Sequence, residues 1–449
     1  MPEGLPAVDT WNHETQVGLR VPKNINNFLY KASSIVLHPF FCCVIFEKVE
    51  KMDPSTLTLE QVEERFLVSR DTGFLLDSSQ VKLQTCWSPF EEVAEQLTKN
   101  VENRIIREKV EELNGDKPIP DGKLEQLCLH RILTFLTAGY IWQDGEETVP
   151  MKLPRCLAVP LTRVSDALGM KPILSYPSMI LANWQMQDTD GPFDFRNLNA
   201  MYQTPGGDGA EWFILTHVVI EQRFAPAIEA IVNAMKYSTA GTEDNVALVR
   251  ALEIIPGVMV DMMRTFKQIK DGVVPEQFYD ELRIFYTGWG EGKDPLPEGL
   301  IYEGVYGDQP TSMKGGSAAQ STTLQILDAA LGITHEGGQK EILDEVRDYM
   351  LREHRNFCAY VRKNSNIRHY VERCNNTDVI KAYNKCISAI RGFRGLHKDK
   401  VNDYIRKPSE RKDRNKHVEG IKDTGTGSTP YLTFLKEINE DTDKCKLSN

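Results

Sequence analysis

Two histidines occur where an imidazole would face a protein interior. His354 lies between Met350 and Phe357 in a series of apolar residues at three- and four-residue spacing, the pattern of one helix face. His217 holds the same position in a second series. The series that contains His354 is Leu343, Val346, Met350, Phe357 and Val361. The series that contains His217 is Phe213, Ile220, Phe224 and Ile228. An imidazole in such a stripe is either a core residue hydrogen-bonded to a carbonyl or carboxylate, or a metal ligand.

A metal bound here would need most of its ligands from outside the chain. His335 follows a predicted helix end, and His369, His397 and His417 lie among charged residues without partners at ligand spacing. The nine cysteines include no Cys-x-x-Cys pair. A haem iron needs as little as one protein ligand, because the porphyrin supplies the rest. The two stripe histidines are therefore core residues or face each other across a flat cofactor.

A third candidate is an arginine among aromatic residues. Pro275 opens a predicted helix in which Tyr279, Arg283 and Tyr286 fall at i, i+4 and i+7, with Phe278 adjacent. A guanidinium binds a carboxylate through two hydrogen bonds, and aromatic rings contact an apolar body, so this face suits a ligand that resembles an amino acid. The alternative is a surface ion pair with a nearby acidic side chain.

Two glycine-containing segments complete the candidates. The run 315–321, GGSAAQS, has small residues that let backbone approach a flat ligand closely, and Ser317 with Gln320 forms a predicted capping box. An ordinary junction between loop and helix has the same composition. The segment 425–429, GTGST, lacks the lysine of a phosphate-binding loop, and its glycines predict a mobile loop.

Helical periodicity predominates and strand signals are weak, so the predicted fold is mainly α. The predicted helices that carry the candidates are 275–287, 317–331, 339–363 and 377–394, with a long helix from about 211. The segment 149–165 contains three prolines and is interpreted as an extended link between domains. We expect an extension of unknown role at 1–70, a small, mostly helical N-terminal domain with linker at 71–160, and a large all-helical domain at 161–449.

Composition limits the partners and the compartment. A net charge of −11 argues against nucleic acid. The longest apolar run, 35–46, is interrupted by His38 and Pro39 and is too short to span a membrane. Scattered cysteines in odd number and a polar N-terminus predict a soluble protein in the reducing cytoplasm.

Several of these segments, in this order, resemble the indoleamine 2,3-dioxygenase family of haem enzymes. The matching stretches are LPRCLAVPLTRVS, PILSYPSMILANW, FYDELRIFYTGW, GLIYEGVYGD, GGSAAQSTTLQILDAALGI, VRDYMLREHRNF and GTGSTPYLTFLKEI. They extend from about Thr72 to Leu435. The resemblance implies a large helical domain that holds haem b, with a smaller N-terminal domain closing over it.

The resemblance also implies roles for particular residues. His354 would be the proximal iron ligand, with Asp328 supporting the haem-binding helices. Arg283 would bind the substrate carboxylate, and Phe278, Tyr279 and Tyr176 would form the aromatic substrate pocket. Gly316, Ser317 and Ala318 would lie beside the haem and the substrate ammonium. Thr426 would belong to the loop that closes the site.

The chain departs from vertebrate members at two of these positions. His217 stands where vertebrate members have a small serine. This is closer to the related tryptophan 2,3-dioxygenases, in which a distal histidine contacts the indole N–H, so we expect His217 on the catalytic side, near the indole N–H or the dioxygen. Tyr279 replaces a phenylalanine. The implied activity is cleavage by O2 of the indole C2=C3 bond of L-tryptophan, with other indoleamines as further candidate substrates. It implies an electron donor that keeps the iron ferrous. The alternative is an oxygen-binding haem protein on the same fold, as in the molluscan myoglobins of the family.

Overall fold

The computed structural model describes residues 52–292, 294–411 and 431–448. Helices account for most of these ranges, which confirms the mainly α prediction. The α-helices are α1 (Leu59–Phe66), α2 (Ser88–Glu95), α3 (Leu97–Glu102), α4 (Ile106–Glu111), α5 (Lys123–Trp142), α6 (Arg155–Leu168), α7 (Gly207–Arg223), α8 (Ala225–Tyr237), α9 (Asn245–Lys267), α10 (Thr322–Leu331), α11 (Gly337–Val346), α12 (Arg352–Asn364), α13 (Ile367–Arg373), α14 (Thr377–Val401) and α15 (Tyr431–Lys444).

The strands are short and form two small sheets. They are β1 (Lys152–Leu153), β2 (Gln185–Met186), β3 (Leu198–Asn199), β4 (Leu300–Tyr302) and β5 (Pro310–Thr311). In the first sheet β4 pairs parallel with β1 and antiparallel with β5, and in the second β2 pairs antiparallel with β3. These pairings fasten loops and do not form a layer of the core.

The stretch 149–165 is not the extended link that its prolines suggested. It contains β1 and then α6, and contacts group residues 52–449 into one unit. Pro154 precedes the helix with extended backbone and needs no N–H there, and Pro160 is accommodated inside the helix. The division into domains at 71–160 and 161–449 stays a prediction.

The predicted helix 339–363 is broken in the middle. After α11 the chain forms a 3₁₀ turn, Arg347–Tyr349, and then Met350 and Leu351 adopt extended backbone before α12 begins. All residues of the predicted stripe are buried, but the break turns its two halves toward different neighbours. Leu343 packs against α15, through Phe434 and Ile438.

The second half of the stripe packs against the beginning of the described chain. Phe357 of α12 stacks on Phe66 of α1, with ring centroids 4.9 Å apart. Phe74 lies against the same ring, at 6.3 Å. Residues 52–70, predicted to belong to an extension of unknown role, therefore form part of the core.

Several described segments are wound as π-helix in place of α-helix. They are Pro177–Leu181, Phe278–Leu282 and Asn402–Arg406. The second of these replaces the predicted helix 275–287, which begins with a single α-turn at Pro275 and ends as a 3₁₀ turn, Arg283–Tyr286. Such turns shift the direction of the side chains that follow and occur often at functional sites.

Two further findings concern the described residues alone. Their cysteines are free thiols, several of them buried. None of their helices is long and apolar enough to cross a membrane.

Candidate functional site

A cavity of ≈ 240 Å³ lies among α7, α9, α10, α14 and α15. Its wall is mostly apolar, with polar groups concentrated in a few places. The lining residues include Tyr176, Phe213, His217, Glu221, Phe266, Phe278, Gly316, Ser317, Ala318, Asp328, Phe393, Arg394, His397 and Lys400. A concave, mostly apolar space with a few convergent polar groups is the usual form of a cofactor or small-molecule site.

All three π-helical segments contribute to this wall. Met179 comes from the first, Phe278 from the second, and Tyr404 with Ile405 from the third. The departure from α-helical geometry therefore coincides with the cavity, where side chains must point in directions that a regular helix would not give them.

His217 is on the cavity wall, as its position in the apolar stripe suggested. Its Nδ1 donates to the carbonyl oxygen of Phe213, 2.8 Å away on the same helix. Burial lowers the pKa of His217, so its imidazole is neutral. Because Nδ1 carries the proton, Nε2 holds a lone pair and can accept a hydrogen bond from a ligand N–H.

His397 is the second imidazole on this wall. Because it lies among charged residues in the sequence, it was not predicted to bind a ligand. Burial lowers its pKa to about 4, with further contributions from His217 and Arg394, so it too is neutral. Both histidine rings contact Phe266, with centroid distances of 6.1 Å for His217 and 5.9 Å for His397. Neutral imidazole is the form that binds metal ions.

The spacing of apolar residues around His397 contains the signal that was missed. Ile390, Phe393, His397 and Val401 recur at helical intervals on α14. The lysines and arginines between these residues are numerous and concealed the stripe, although two of them, Arg394 and Lys400, also line the cavity.

The structure does not place His354 on the cavity wall. Its Nε2 donates to the carbonyl oxygen of Leu67 at 3.1 Å, and its ring packs edge-on against Phe74 at 5.0 Å. Burial lowers the pKa of His354 to about 4. Since the helix break at Met350 turns the second half of the stripe away from the cavity, His354 has the environment of a core histidine.

A buried carboxylate organises the side of the cavity next to His217. Glu221, one turn further along α7, accepts hydrogen bonds from the hydroxyls of Tyr176 at 2.8 Å, Ser321 at 2.6 Å and Thr323 at 2.7 Å. Burial raises the pKa of Glu221, although the three hydroxyl donors act against this. These bonds fix Tyr176, a predicted substrate-pocket residue, on the cavity wall.

The small-residue segment 315–321 also lies on this wall. The predicted capping box is present, with Ser317 and Gln320 bonded to each other's backbone at the start of a short 3₁₀ turn. Gln320 Oε1 also accepts from the backbone N–H of Tyr176 at 2.9 Å. A Cβ at Gly316 would lie 3.4 Å from the carbonyl oxygen of Leu174 and 3.5 Å from the Met179 methyl group, which are ordinary contact distances, so a small side chain would fit there.

The predicted substrate-binding helix is only partly exposed to the cavity. Phe278 lines it, 5.1 Å from the ring of Phe213. Tyr279 and Arg283 are fully buried beside it and do not line the cavity. The guanidinium of Arg283 lies over the Tyr279 ring at 5.1 Å, and the Tyr279 hydroxyl has no hydrogen-bond partner within the described ranges.

Asp328 connects α10 to the helix that carries His397. Its Oδ2 accepts from Arg394 Nη2 at 2.6 Å, and Arg394 lies one turn before His397 on α14. Burial alone would raise the pKa of Asp328, but Arg394 and His335 lower it overall. The carboxylate is therefore ionised and holds the two helices together. Thr426 lies outside the described residues.

Comparison with known proteins agrees with these observations. The family model for indoleamine 2,3-dioxygenase matches residues 62–445. Indoleamine 2,3-dioxygenase 1 of Mus musculus is 37% identical over 390 residues, which is 85% of this chain and 95% of the relative. Indoleamine 2,3-dioxygenase 2 of Homo sapiens is 34% identical, over 84% and 94%. A myoglobin of Haliotis madaka is 33% identical, over 85% and 97%. The chain belongs to the indoleamine 2,3-dioxygenase family.

Proposed function

We propose that this protein is a haem-dependent dioxygenase that adds O2 across the indole C2=C3 bond of L-tryptophan and forms N-formylkynurenine. The observation that carries the proposal is the pair of neutral imidazoles, His217 and His397, on the wall of one apolar cavity. Membership of the family supports the same activity.

The residues of the cavity wall fit a haem, whose iron His397 would bind. His397 is neutral, lies on the cavity wall and makes no hydrogen bond to another described residue, so its lone pair is available to iron. Lys400 lines the same cavity and supplies a cation for the carboxylates of a porphyrin. We therefore assign to His397 the role that the resemblance had assigned to His354.

Asp328 supports this ligand from behind. It fixes Arg394, and hence the turn of α14 that presents His397. Partners of this kind orient a metal ligand and raise its affinity for the metal. Gly316, Ser317 and Ala318 would run beside the flat group, where their small side chains allow close approach.

His217 would bind the substrate directly. Its Nδ1–H is held by the Phe213 carbonyl, so the lone pair of Nε2 is available to accept the indole N–H of a ligand in the cavity that His217 lines. Tyr176 and Phe278 offer aromatic surface for the indole ring. We retain Arg283 as the carboxylate-binding residue, with Tyr279 as its neighbour and Thr426 as part of the closing loop. Such a grip contributes about 1.5–3 kcal/mol per charged hydrogen bond.

A bound haem supplies the iron that activates dioxygen, and an electron donor must keep that iron ferrous. The protein orients the indole bond against the cofactor and excludes water through its apolar walls, formed by residues such as Phe213, Phe266 and Phe393. A cytoplasmic reductant agrees with the free cysteines of the described part.

The decisive experiment is a turnover assay. The purified protein is reconstituted with haem, reduced without oxygen, and mixed with L-tryptophan and O2 while N-formylkynurenine is measured. We expect many product molecules per haem. Stable oxygen binding without product would instead support the second candidate, an oxygen-binding haem protein, which the Haliotis relative named myoglobin favours. Absence of both would reject the proposal.

A further inference from the structure

His335 occupies an unusual position behind the cavity wall. It lies in the loop between α10 and α11, and its side chain is 5% exposed. Nε2 is 3.2 Å from Asp328 Oδ2, and Nδ1 is 3.3 Å from Asp441 Oδ2. Ionised carboxylates only accept hydrogen bonds, so each of these contacts takes its proton from a ring nitrogen of His335. His335 is therefore buried between two acidic side chains and bonded to both.

One of these acidic residues, Asp328, is connected through Arg394 to the proposed iron ligand, His397. The oxygen of Asp328 that His335 contacts also accepts from Arg394 Nη2 at 2.6 Å. His335 and Arg394 thus hold the carboxylate from two sides and lower the pKa of Asp328 against the effect of its burial. Because Arg394 is one helical turn from His397, a change in the position of Asp328 passes directly to that turn of α14.

The other acidic residue leads to the last helix. Asp441 belongs to α15, whose residues Phe434, Leu435 and Ile438 line the cavity. Lys444 also binds Asp441, at 2.9 Å, from the exposed side. His335 therefore connects α10 and α15 and acts, through Asp328 and Arg394, on α14.

We propose that His335 is a positioning residue for the axial ligand His397, acting through Asp328 and Arg394. The proposal rests on the proposed function, since it concerns the ligand of the haem. His335 fixes the carboxylate in the one position where it holds Arg394, and so fixes the direction of the His397 imidazole. Loss of His335 should weaken haem binding and disturb the bond between iron and imidazole.

The test uses His335→Phe, which keeps a ring of similar shape but removes both hydrogen-bonding nitrogens. We expect the affinity for haem to fall about 10- to 100-fold, the usual effect of removing a partner of a metal ligand, and haem to transfer to an excess of apomyoglobin correspondingly faster than from the unaltered protein. The iron–imidazole stretching band of the ferrous protein, measured by resonance Raman spectroscopy, should shift or broaden. His335→Arg, with charge and several donors, should restore much of the slow transfer.

The matched control is Asn384→Ala. Asn384 also fastens the C-terminal residues to α14, with two hydrogen bonds of 2.9 Å to the backbone of Leu447, but does not contact Asp328. We expect it to lower the melting temperature of the haem-free protein and to leave the iron–imidazole band unchanged. If His335→Phe does not fold, His335→Gln, which keeps one amide donor group, undergoes the same measurements.

The outcomes separate the two proposals. An unchanged transfer rate and band in the His335 variants, while the unaltered protein binds haem, overturns this inference alone. Identical effects of His335→Phe and Asn384→Ala on the band also overturn it, because they reduce His335 to a fastening of the C-terminus. Failure of the unaltered protein to bind haem overturns the proposed function, and this inference with it.

Discussion

Three histidines of this protein, His217, His354 and His397, have different environments, and the environments decide what each can do. His354 spends one nitrogen on the Leu67 carbonyl and packs against an aromatic ring. His217 donates its Nδ1–H to a carbonyl of its own helix and lines the cavity, which leaves the Nε2 lone pair for a ligand. His397 hydrogen-bonds to no described residue and lies on the cavity wall. Burial keeps all three neutral, so the direction of the lone pair separates ligand, substrate contact and core residue.

The first prediction compares two of these histidines. His397→Ala should abolish haem binding, whereas His354→Ala should retain haem and lower the free energy of unfolding by about 1–3 kcal/mol, because the Leu67 carbonyl loses its donor. The haem-to-protein ratio and denaturant unfolding of both variants check this. Haem loss in the His354 variant, with normal haem in the His397 variant, would return the ligand role to His354.

The second prediction concerns substrate recognition by His217. On the proposed function, Nε2 of His217 would accept the indole N–H, so the protein should prefer L-tryptophan over 1-methyltryptophan, and His217→Ser should lose most of that preference. Because burial lowers the pKa of His217, the preference should stay constant as the pH falls to 6.5, the ordinary histidine value. The ratio of kcat/KM for the two substrates, measured against pH, checks both statements, and an unchanged ratio in the variant contradicts them.

At the scale of the elements, the sequence predicted well which residues are buried, but it did not predict where a helix breaks and its side chains change direction. The apolar stripe from Leu343 to Val361 is buried as expected, but nothing in VRDYMLR, which has no Pro or Gly, announces the break at Met350. The capping box at Ser317 depends only on neighbours in sequence and was predicted correctly. The π-helical turns depend on tertiary packing around the cavity, so local propensity could not reveal them.

The third prediction tests the connection between α10 and α14. Asp328→Asn leaves Arg394 buried beside a neutral amide and should cost about 3–5 kcal/mol of unfolding free energy at pH 7. Because the pKa of Asp328 is lowered in the folded protein, its contribution is complete above the ordinary value of 3.8 and is lost as the pH falls below it. The difference between unaltered protein and variant should therefore shrink in acid.

Asp261→Asn provides the comparison for this measurement. Asp261 pairs with Arg264 at 2.7 Å, but both side chains are more than half exposed to solvent. Its loss should cost no more than about 1 kcal/mol. Equal effects of the two substitutions in thermal or denaturant unfolding would show that the Asp328 contact does not hold the helices together.

At the scale of the molecule, the chain from 52 onward behaves as one unit around the cavity, and its first described helix belongs to that unit. The mainly α fold followed from helical periodicity and weak strand signals, and the family followed from seven short segments in order. The assignment of roles within those segments did not, because two histidines on apolar stripes look alike until the helices that carry them are placed. His354 lies in a short, conspicuous motif, so the resemblance gave it the ligand role that we propose for His397.

The fourth prediction tests whether α1 is part of the core. Phe66 is fully buried and stacked on Phe357, so Phe66→Ala should lower the free energy of unfolding by about 3–5 kcal/mol. Val246→Ala, at a side chain that is 62% exposed, should change it by less than about 0.5 kcal/mol. Denaturant unfolding of both variants checks this, and similar small effects would make α1 a dispensable extension.

The bonds between α12 and the start of the described chain also have a consequence for biosynthesis. His354 and Leu67 are 287 positions apart, and Tyr360 bonds to the Met52 carbonyl across 308. At ordinary ribosomal speeds, roughly 15–60 s pass between the synthesis of α1 and that of its partner helix. Throughout that interval Val62 and Phe66 lack their native cover. The nascent chain should therefore depend on chaperones that bind apolar segments near its N-terminus, and slow translation should increase its aggregation.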